Sequence, residues 1–258
     1  MADRLAGKTA IITGGAGGIG AATGRLFCEH GASVLLVDRD AEACRTVAAE
    51  IRQWAEPSRV AHAVLDVGQE AAAAKAVSIA LERFGRLDCL VNNAAIRAYE
   101  PLAESRGETW RDLLAVNLLS YAFFAREALP HLRRAGGGTI VNVASTYGVN
   151  MRAGMGQYDV AKAGIISMTR TLAAEETRRG VRINAVCPGY TLTPFHVRRA
   201  EEAGQKAADL ATEHRPECLI GRWADPREIA FPILWLASAE ASYVTGTALM
   251  VDGGMPAP

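Results

Sequence analysis

Tyr158 and Lys162, in the run Tyr158-Asp159-Val160-Ala161-Lys162, are the residues of this chain with the clearest chemical use. Four positions apart on a helix, they share a face, one turn from each other. A free phenol has a pKa of about 10 and is a poor base at neutral pH. A nearby ammonium favours the phenolate, so the pair can make a proton-transfer group. Ser145 stands 13 residues earlier, and its hydroxyl can donate to a substrate oxygen. Each signal also has an ordinary reading alone: an exposed helical pair for the first, a turn cap for the second.

A second constellation lies near the N-terminus. Thr13-Gly14-Gly15-Ala16-Gly17-Gly18-Ile19-Gly20 follows the short β-branched run Thr9-Ala10-Ile11-Ile12 and precedes a helical stretch through Phe27. Strand, glycine turn and helix form the context of a dinucleotide fingerprint. A pyrophosphate reaches backbone N–H groups only where no Cβ intervenes, and the helix N-terminus adds unpaired donors and partial positive charge. A glycine turn alone is weak evidence. No Gly-Lys-Ser/Thr follows, which argues against the phosphate loop of an NTPase. The next apolar run, 32–37, ends on Asp38, an acid placed to hold a ribose 2′-hydroxyl. The competing reading is that Asp38 only starts a turn with Arg39 and Asp40. If the ligand is a nicotinamide dinucleotide, its cationic ring joins Lys162 in acting on Tyr158. Lowering a phenol by ~3 units takes roughly 4 kcal/mol, within reach of two cations in a partly desolvated site.

The elements that must position these residues alternate. Strands are expected at 9–12, 32–37, 60–65, 87–91, 139–143, 181–186 and 248–251. Helices are expected from about 21, then at 42–54, 71–84, 108–132, 158–178 and 226–236, with an irregular stretch at 191–222. Short connections and strict alternation predict an α/β fold: a doubly wound, Rossmann-like, seven-stranded parallel sheet with helices on both faces, in a single domain spanning 1–258. Ligands of such sheets bind at the carboxyl ends of the strands. Asp38, Asp66, Asn93, Ser145 and Gly189 all fall at strand ends, so independent signals meet on one rim.

Composition removes several function classes. The chain has 258 residues, 50% of them hydrophobic, enough for one large core. Lys+Arg and Asp+Glu are both 28, so no basic footprint for nucleic acid or an anionic membrane is expected. No apolar run approaches a membrane span, and Met1 to Lys8 has no secretory apolar region. Five scattered cysteines without a C-x-x-C pair argue against a disulfide framework or zinc and for a reducing cytoplasm. The five histidines show no metal-ligand spacing, so no metal is expected.

Taken together, these motifs resemble the short-chain dehydrogenase/reductase family along the whole chain. Thr13-Gly14…Gly18-Ile19-Gly20 matches its Thr-Gly-x-x-x-Gly-x-Gly. Asn92-Asn93-Ala94-Ala95 is similar to its Asn-Asn-Ala-Gly, with Ala95 for the usual Gly. Pro188-Gly189 and Val251-Asp252-Gly253-Gly254 resemble its later signatures. The resemblance implies a catalytic tetrad of Asn117, Ser145, Tyr158 and Lys162. In it Tyr158 is the general acid/base and Lys162 lowers its pKa and bonds the nicotinamide ribose. Ser145 orients the substrate oxygen, and Asn117 holds a water in a proton relay. It further implies that Gly14, Gly18, Ile19 and Gly20 cradle the pyrophosphate, that Asp66 and Val67 border the adenine, and that Asn93 lies under a ribose. Thr191 and Thr193 are expected to reach the carboxamide or pyrophosphate.

The implied activity is NAD-dependent interconversion of a secondary alcohol and a ketone. The alternatives are an NADPH-dependent 3-oxoacyl-thioester reductase and a non-catalytic dinucleotide-binding regulator. NAD is expected because Asp38 would face an extra 2′-phosphate. The stretch 191–222 is expected to form a substrate-binding lid, and the substrate pocket to draw on Arg97, Thr146, Tyr147, Arg152, Met155, Tyr190, Phe195 and His196. Arg97 and Arg152 would suit a carboxylate, although exposed arginines often have no such role. A homotetramer is expected: Leu113, Leu114, Leu118, Leu119, Phe123 and Phe124, with Ile165, Ile166, Met168 and Leu172, exceed what one sheet-facing side needs, and the resemblance supplies the count.

Overall fold

A computed structural model describes residues 3–255; the expectations placed on Met1, Ala2 and residues 256–258 lie outside the described residues. The strands are β1 (Thr9–Thr13), β2 (Ser33–Asp38), β3 (Val60–Val64), β4 (Cys89–Asn92), β5 (Gly138–Val143), β6 (Val181–Pro188) and β7 (Ala248–Val251). They form one seven-stranded sheet in the order β3-β2-β1-β4-β5-β6-β7, every pairing parallel. The chain runs outward from β1 through β2 to β3, then returns to place β4 on the other side of β1. That reversal opens a crevice at the carboxyl ends of β1 and β4.

Period-two alternation decides what each face buries. Ile11, Leu35, Leu90, Ile140 and Ile183 stand in register across five strands, all fully buried on one face. Helices α3 (Ala71–Phe84) and α5 (Ser120–Arg134) cover them, through Ala76, Val77, Ala80, Phe124 and Leu132. One residue further along, Ile12, Leu36, Val91 and Val141 face the other way. There they meet α1 (Gly18–Glu29), α2 (Ala41–Arg52) and α9 (Pro226–Ala237). Helix α6 (Gly156–Glu176) covers β6 through Ile165 and Ile166.

Helix boundaries follow local chemistry. Asp40 caps α2 by accepting from the Ala43 N–H (3.0 Å). Gly85 ends α3 in a left-handed conformation (φ 76°) that a side chain would oppose. Asp225, Pro226 and Glu228 form a capping box at α9.

One expected helix divides. The 108–132 stretch is α4 (Gly107–Leu114), a π-helical turn (Ala115–Leu119) and α5, with Asn117 inside the wide turn. A bond pair between segments holds that turn. Asn117 Oδ1 accepts from the Ile96 N–H and its Nδ2 donates to the Ile96 carbonyl, both at 2.8 Å. Much of the apolar surplus expected on the long helices is spent within the chain. Leu113, Phe124, Ile165 and Ile166 are buried, and Leu118 packs on Gly164, leaving Leu119 the exposed member of that set.

Candidate active site

The glycine loop joins β1 to α1 under tight steric limits. A Cβ on Gly20 would sit 2.0 Å from the Gly14 carbonyl oxygen, and one on Gly14 (φ 63°) 2.7 Å from Asn93 Nδ2. The Asn93 amide donates to the carbonyls of Thr13 (3.0 Å) and Gly14 (3.1 Å), so the end of β4 holds the loop in place. Gly17 is the N-cap of α1 and offers no side chain to the helix, while a Cβ there would meet open space. The first intrahelical bond runs from Ala21 N to Gly17 O (3.2 Å), which leaves the Gly18, Ile19 and Gly20 N–H groups without an intrahelical partner or a capping side chain, and Gly18 and Ile19 line the cavity. This cradle fits a dinucleotide pyrophosphate. Beside it, Asp38 accepts from the N–H groups of Ala16 (3.3 Å) and Asp40 (3.2 Å), so its carboxylate is pinned toward the loop. Asp66 accepts from Gly68 N (2.9 Å) and, with Val67, lines the same end.

A cavity of about 760 Å³ runs continuously from this loop to Ser145, Tyr158 and Lys162. Tyr158 sits in the first turn of α6 and is 7% exposed; Lys162, one turn on, is 1% exposed. The pair is therefore not a solvent-facing one. Lys162 Nζ donates to the Val143 carbonyl (2.7 Å) and to Tyr121 Oη (3.4 Å), and lies 5.5 Å from the Tyr158 ring centroid. Burial and the Arg97 charge bring its pKa down to about 7. Burial pushes the Tyr158 phenol up; the Arg97 and Arg152 charges and a hydrogen bond from Ser145 oppose that rise. Ser145 Oγ accepts from Tyr147 N (3.1 Å), which leaves its hydrogen for the phenol or for a substrate oxygen. This arrangement can move a proton between a bound hydroxyl and Tyr158.

Further residues support the pair from behind, and of these only Asn92 lies in a motif that the sequence shows. Tyr121 is wholly buried, its hydroxyl near the carbonyls of Val143 (3.1 Å) and Ala94 (3.3 Å), and it receives Lys162. Asn92 donates to Asn142 Oδ1 (3.0 Å), whose Nδ2 donates to Thr169 Oγ1 (2.9 Å), linking β4 and β5 to α6. Nothing in composition or spacing separates Tyr121, Asn142 and Thr169 from ordinary core residues.

The expected lid holds two helices, α7 (Pro194–Glu202) and α8 (Ala207–Thr212), and its ends are tied together. Leu192 N donates to the Ala224 carbonyl and Ala224 N to the Tyr190 carbonyl, both at 2.9 Å. Thr191, 4% exposed, donates to the Gly189 carbonyl (3.3 Å). Thr193 lies against the glycine loop: a Cβ on Gly18 would be 2.9 Å from its methyl.

Arg97, Tyr147, Arg152, Tyr190, Phe195 and His196 line the cavity as expected. Thr146 and Met155 do not. Thr146 is buried, donating to Asp252 (3.2 Å), and Met155 is buried beside Leu113 and Ala161. Arg198, which the sequence reading passed over, lines the cavity instead. Among the described residues no group of three or more His, Cys, Asp or Glu could hold a metal, and no helix is long and apolar enough to cross a membrane.

The chain is similar to several known proteins. Residues 14–256 match the family described as enoyl-(acyl carrier protein) reductase. The cis-4-hydroxycyclohexanecarboxylate dehydrogenase of Sinomonas cyclohexanicum is 39% identical over 258 residues, the full length of both chains. The 3-oxoacyl-[acyl-carrier-protein] reductase of Thermotoga maritima is 37% identical, covering 98% of this chain and 99% of its own. The crystal structure of L-sorbose reductase from Gluconobacter frateurii, complexed with NADPH and L-sorbose, superposes with a TM-score of 0.92 at 33% identity, over 99% of this chain and 98% of its own.

Proposed function

The chain belongs to the short-chain dehydrogenase/reductase family, an oxidoreductase acting on alcohols, and from that premise we propose that it interconverts a secondary alcohol and a ketone with NAD. The observation carrying this reading is the single cavity in which Ser145, Tyr158 and Lys162 face the glycine loop and Asp38. The glycine loop, Asp38 and Lys162 would hold a nicotinamide dinucleotide, which would supply the acceptor for the hydride of the carbinol carbon. Tyr158 takes the hydroxyl proton in oxidation and returns it in reduction. Ser145 donates its free hydrogen to the substrate oxygen. Lys162 holds positive charge near the phenol and reaches a ribose hydroxyl. The Asn117 amide is committed to Ile96, so its part is to hold that strand-end loop while a relay water binds beside it. Gly14, Gly18, Ile19 and Gly20 receive the pyrophosphate, Asp66 and Val67 border the adenine, and Asn93 supports the loop beneath a ribose. Thr191 and Thr193 lie at the base of the lid formed by 191–222, close to the carboxamide and pyrophosphate positions.

NAD rather than NADP follows from charge. A 2′-phosphate about 4 Å from the Asp38 carboxylate meets ~1 kcal/mol of repulsion per charge pair in water and ~4 at an effective dielectric near 20. With almost two charges on the phosphate, the penalty exceeds about 2 kcal/mol, or roughly thirtyfold. Two backbone N–H groups hold Asp38 in that position. Arg39 also lines this end and would favour a phosphate, but a flexible surface arginine loses most of that gain to screening and side-chain entropy. An NADPH-dependent 3-oxoacyl-thioester reductase is the second reading, favoured by the Thermotoga maritima relative and by Arg39.

We further propose a homotetramer in the cytoplasm. Exposed Leu119, Val160, Phe231 and Met250 support association, and five buried, unpaired cysteines suit a reducing compartment. A monomeric mass in light scattering at micromolar concentration would remove the tetramer. Activity is tested with a panel of sugars, sterols, cyclic alcohols and hydroxy acids plus NAD, followed by absorbance of the reduced cofactor. Turnover of a secondary alcohol is expected. Binding of the reduced cofactor with no turnover across the panel would instead make the chain a dinucleotide-binding regulator.

A further inference from the structure

Charge is spread unevenly along the cavity, although Arg39 also lines its glycine-loop end. The cavity's carboxylates, Asp38, Asp40 and Asp66, all lie at the glycine-loop end. Around Tyr158 the charged lining residues are cationic: Arg97, Arg152 and Lys162. The two arginines the sequence suggested as carboxylate binders are not equivalent. Arg152 is neutralised by Asp159, its Nη2 2.7 Å and its Nε 3.2 Å from the carboxylate, and it stacks 3.8 Å from the centroid of the Tyr147 ring. Arg97 has no ion pair among the described residues. It is half-buried, over the faces of Phe195 (4.9 Å) and Tyr158 (5.7 Å).

Its hydrogen-bond partner is a poor one for a guanidinium. Arg97 Nη1 lies 2.7 Å from His196 Nε2. Burial and the Arg97 charge bring the pKa of His196 down to about 4, so the ring is neutral at pH 7 and Nε2 accepts from Arg97. Nδ1 then carries the proton and donates to Thr193 Oγ1 at 3.0 Å. One of five guanidinium N–H donors is thereby occupied, and Arg97 lines the cavity with no other side-chain hydrogen bond among the described residues. A half-buried arginine without a counter-ion is costly unless something supplies the negative charge. The same unbalanced charge presses on Lys162 and depresses its protonation.

Resting on the dehydrogenase reading above, the geometry points to a substrate that carries a carboxylate: a hydroxy acid or keto acid whose carboxylate sits bidentate on Arg97 while its carbinol or carbonyl oxygen lies between Ser145 and Tyr158. The 5.7 Å from the guanidinium carbon to the Tyr158 ring centre brings both groups within one small molecule. The carboxylate completes a counter-charge that the protein does not provide. It also offsets the Arg97 charge, the second cause after burial of the lowered Lys162 pKa. Because Arg97 follows β4 while His196 and Phe195 stand on α7, the bound acid would also fasten the lid to the sheet.

The test has a binding arm and a turnover arm. Binding of benzoate and its neutral counterpart benzamide to the protein with reduced cofactor is measured by calorimetry, for wild type, Arg97→Ala, Arg97→Lys and Arg152→Ala. Hydrogen bonds to a charged group predict that wild type prefers benzoate by about tenfold or more. Arg97→Ala removes the preference, Arg97→Lys keeps part of it, and Arg152→Ala leaves it in place. In the turnover arm, a hydroxy acid that the enzyme oxidises is compared with its primary amide. The kcat/KM ratio of acid to amide falls at least tenfold in Arg97→Ala. Equal affinity for benzoate and benzamide in wild type, or a preference that survives Arg97→Ala, overturns the proposal. Preference for benzoate with no turnover of any alcohol sinks the dehydrogenase reading and leaves the carboxylate site standing.

Discussion

The two ends of the cavity are built from different material. At the glycine-loop end the walls are backbone N–H groups, three carboxylates and positions where a Cβ would collide. At the other end they are cationic and aromatic side chains brought from the β4 exit, the start of α6 and the lid. The first end is held by side chains bonded to the main chain of the sheet rim: the Asn93 amide donates to the Thr13 and Gly14 carbonyls, and the Asp38 carboxylate accepts from the Ala16 and Asp40 N–H groups. The second is held by side-chain contacts such as Arg97–His196–Thr193 and Tyr147–Tyr190 (2.8 Å). A backbone cradle can receive the same cofactor in many relatives, while side chains on separate segments can change the substrate without disturbing it.

The largest expected effect breaks the chemistry at one end and spares the other. Tyr158→Phe deletes one hydroxyl and should lower kcat by about 10²–10⁴, the range for removing a general acid/base. Affinity for reduced cofactor, followed by its fluorescence, should change little. A variant that keeps most of the wild-type kcat would show that Tyr158 does not transfer the proton.

Asp38→Ala acts at the opposite end. It should shrink the NAD-to-NADP ratio of kcat/KM by roughly thirtyfold, mostly through better use of NADP. An unchanged ratio would mean that Asp38 does not face the 2′ position.

The smallest effect concerns the lid. His196 has its pKa brought from 6.5 to about 4 in the folded chain. Between those values the unfolded chain binds the proton and the folded chain does not, so stability rises with pH across that window and is lost as pH falls through it. His196→Asn should therefore show a smaller drop in Tm between pH 6.5 and pH 4 than wild type. Equal drops would indicate that the ring is already protonated in the folded state.

The same contrast explains what could be read from the chain alone. The strands, their order along the chain and the glycine loop follow from local patterns: β-branched runs, period-two burial and glycines where no Cβ fits. Asp38 could be found because it ends a strand beside that loop. The division between Arg97 and Arg152 could not, because it depends on Asp159, which is close to Arg152 only after α6 forms. Nothing in the sequence marks Tyr121, yet its hydroxyl meets Lys162. The π-helical turn at Asn117 escaped periodicity because the partner of Asn117, Ile96, lies 21 residues away on another segment.

The claim that the acidic end of the cavity selects the cofactor is tested most directly by kcat/KM for NAD and NADP with one alcohol, at fixed ionic strength. The account predicts a preference for NAD of about thirtyfold or more. Equal values, or a preference for NADP, would show that Arg39 outweighs Asp38 and would move the chain to the NADPH-dependent thioester-reductase reading.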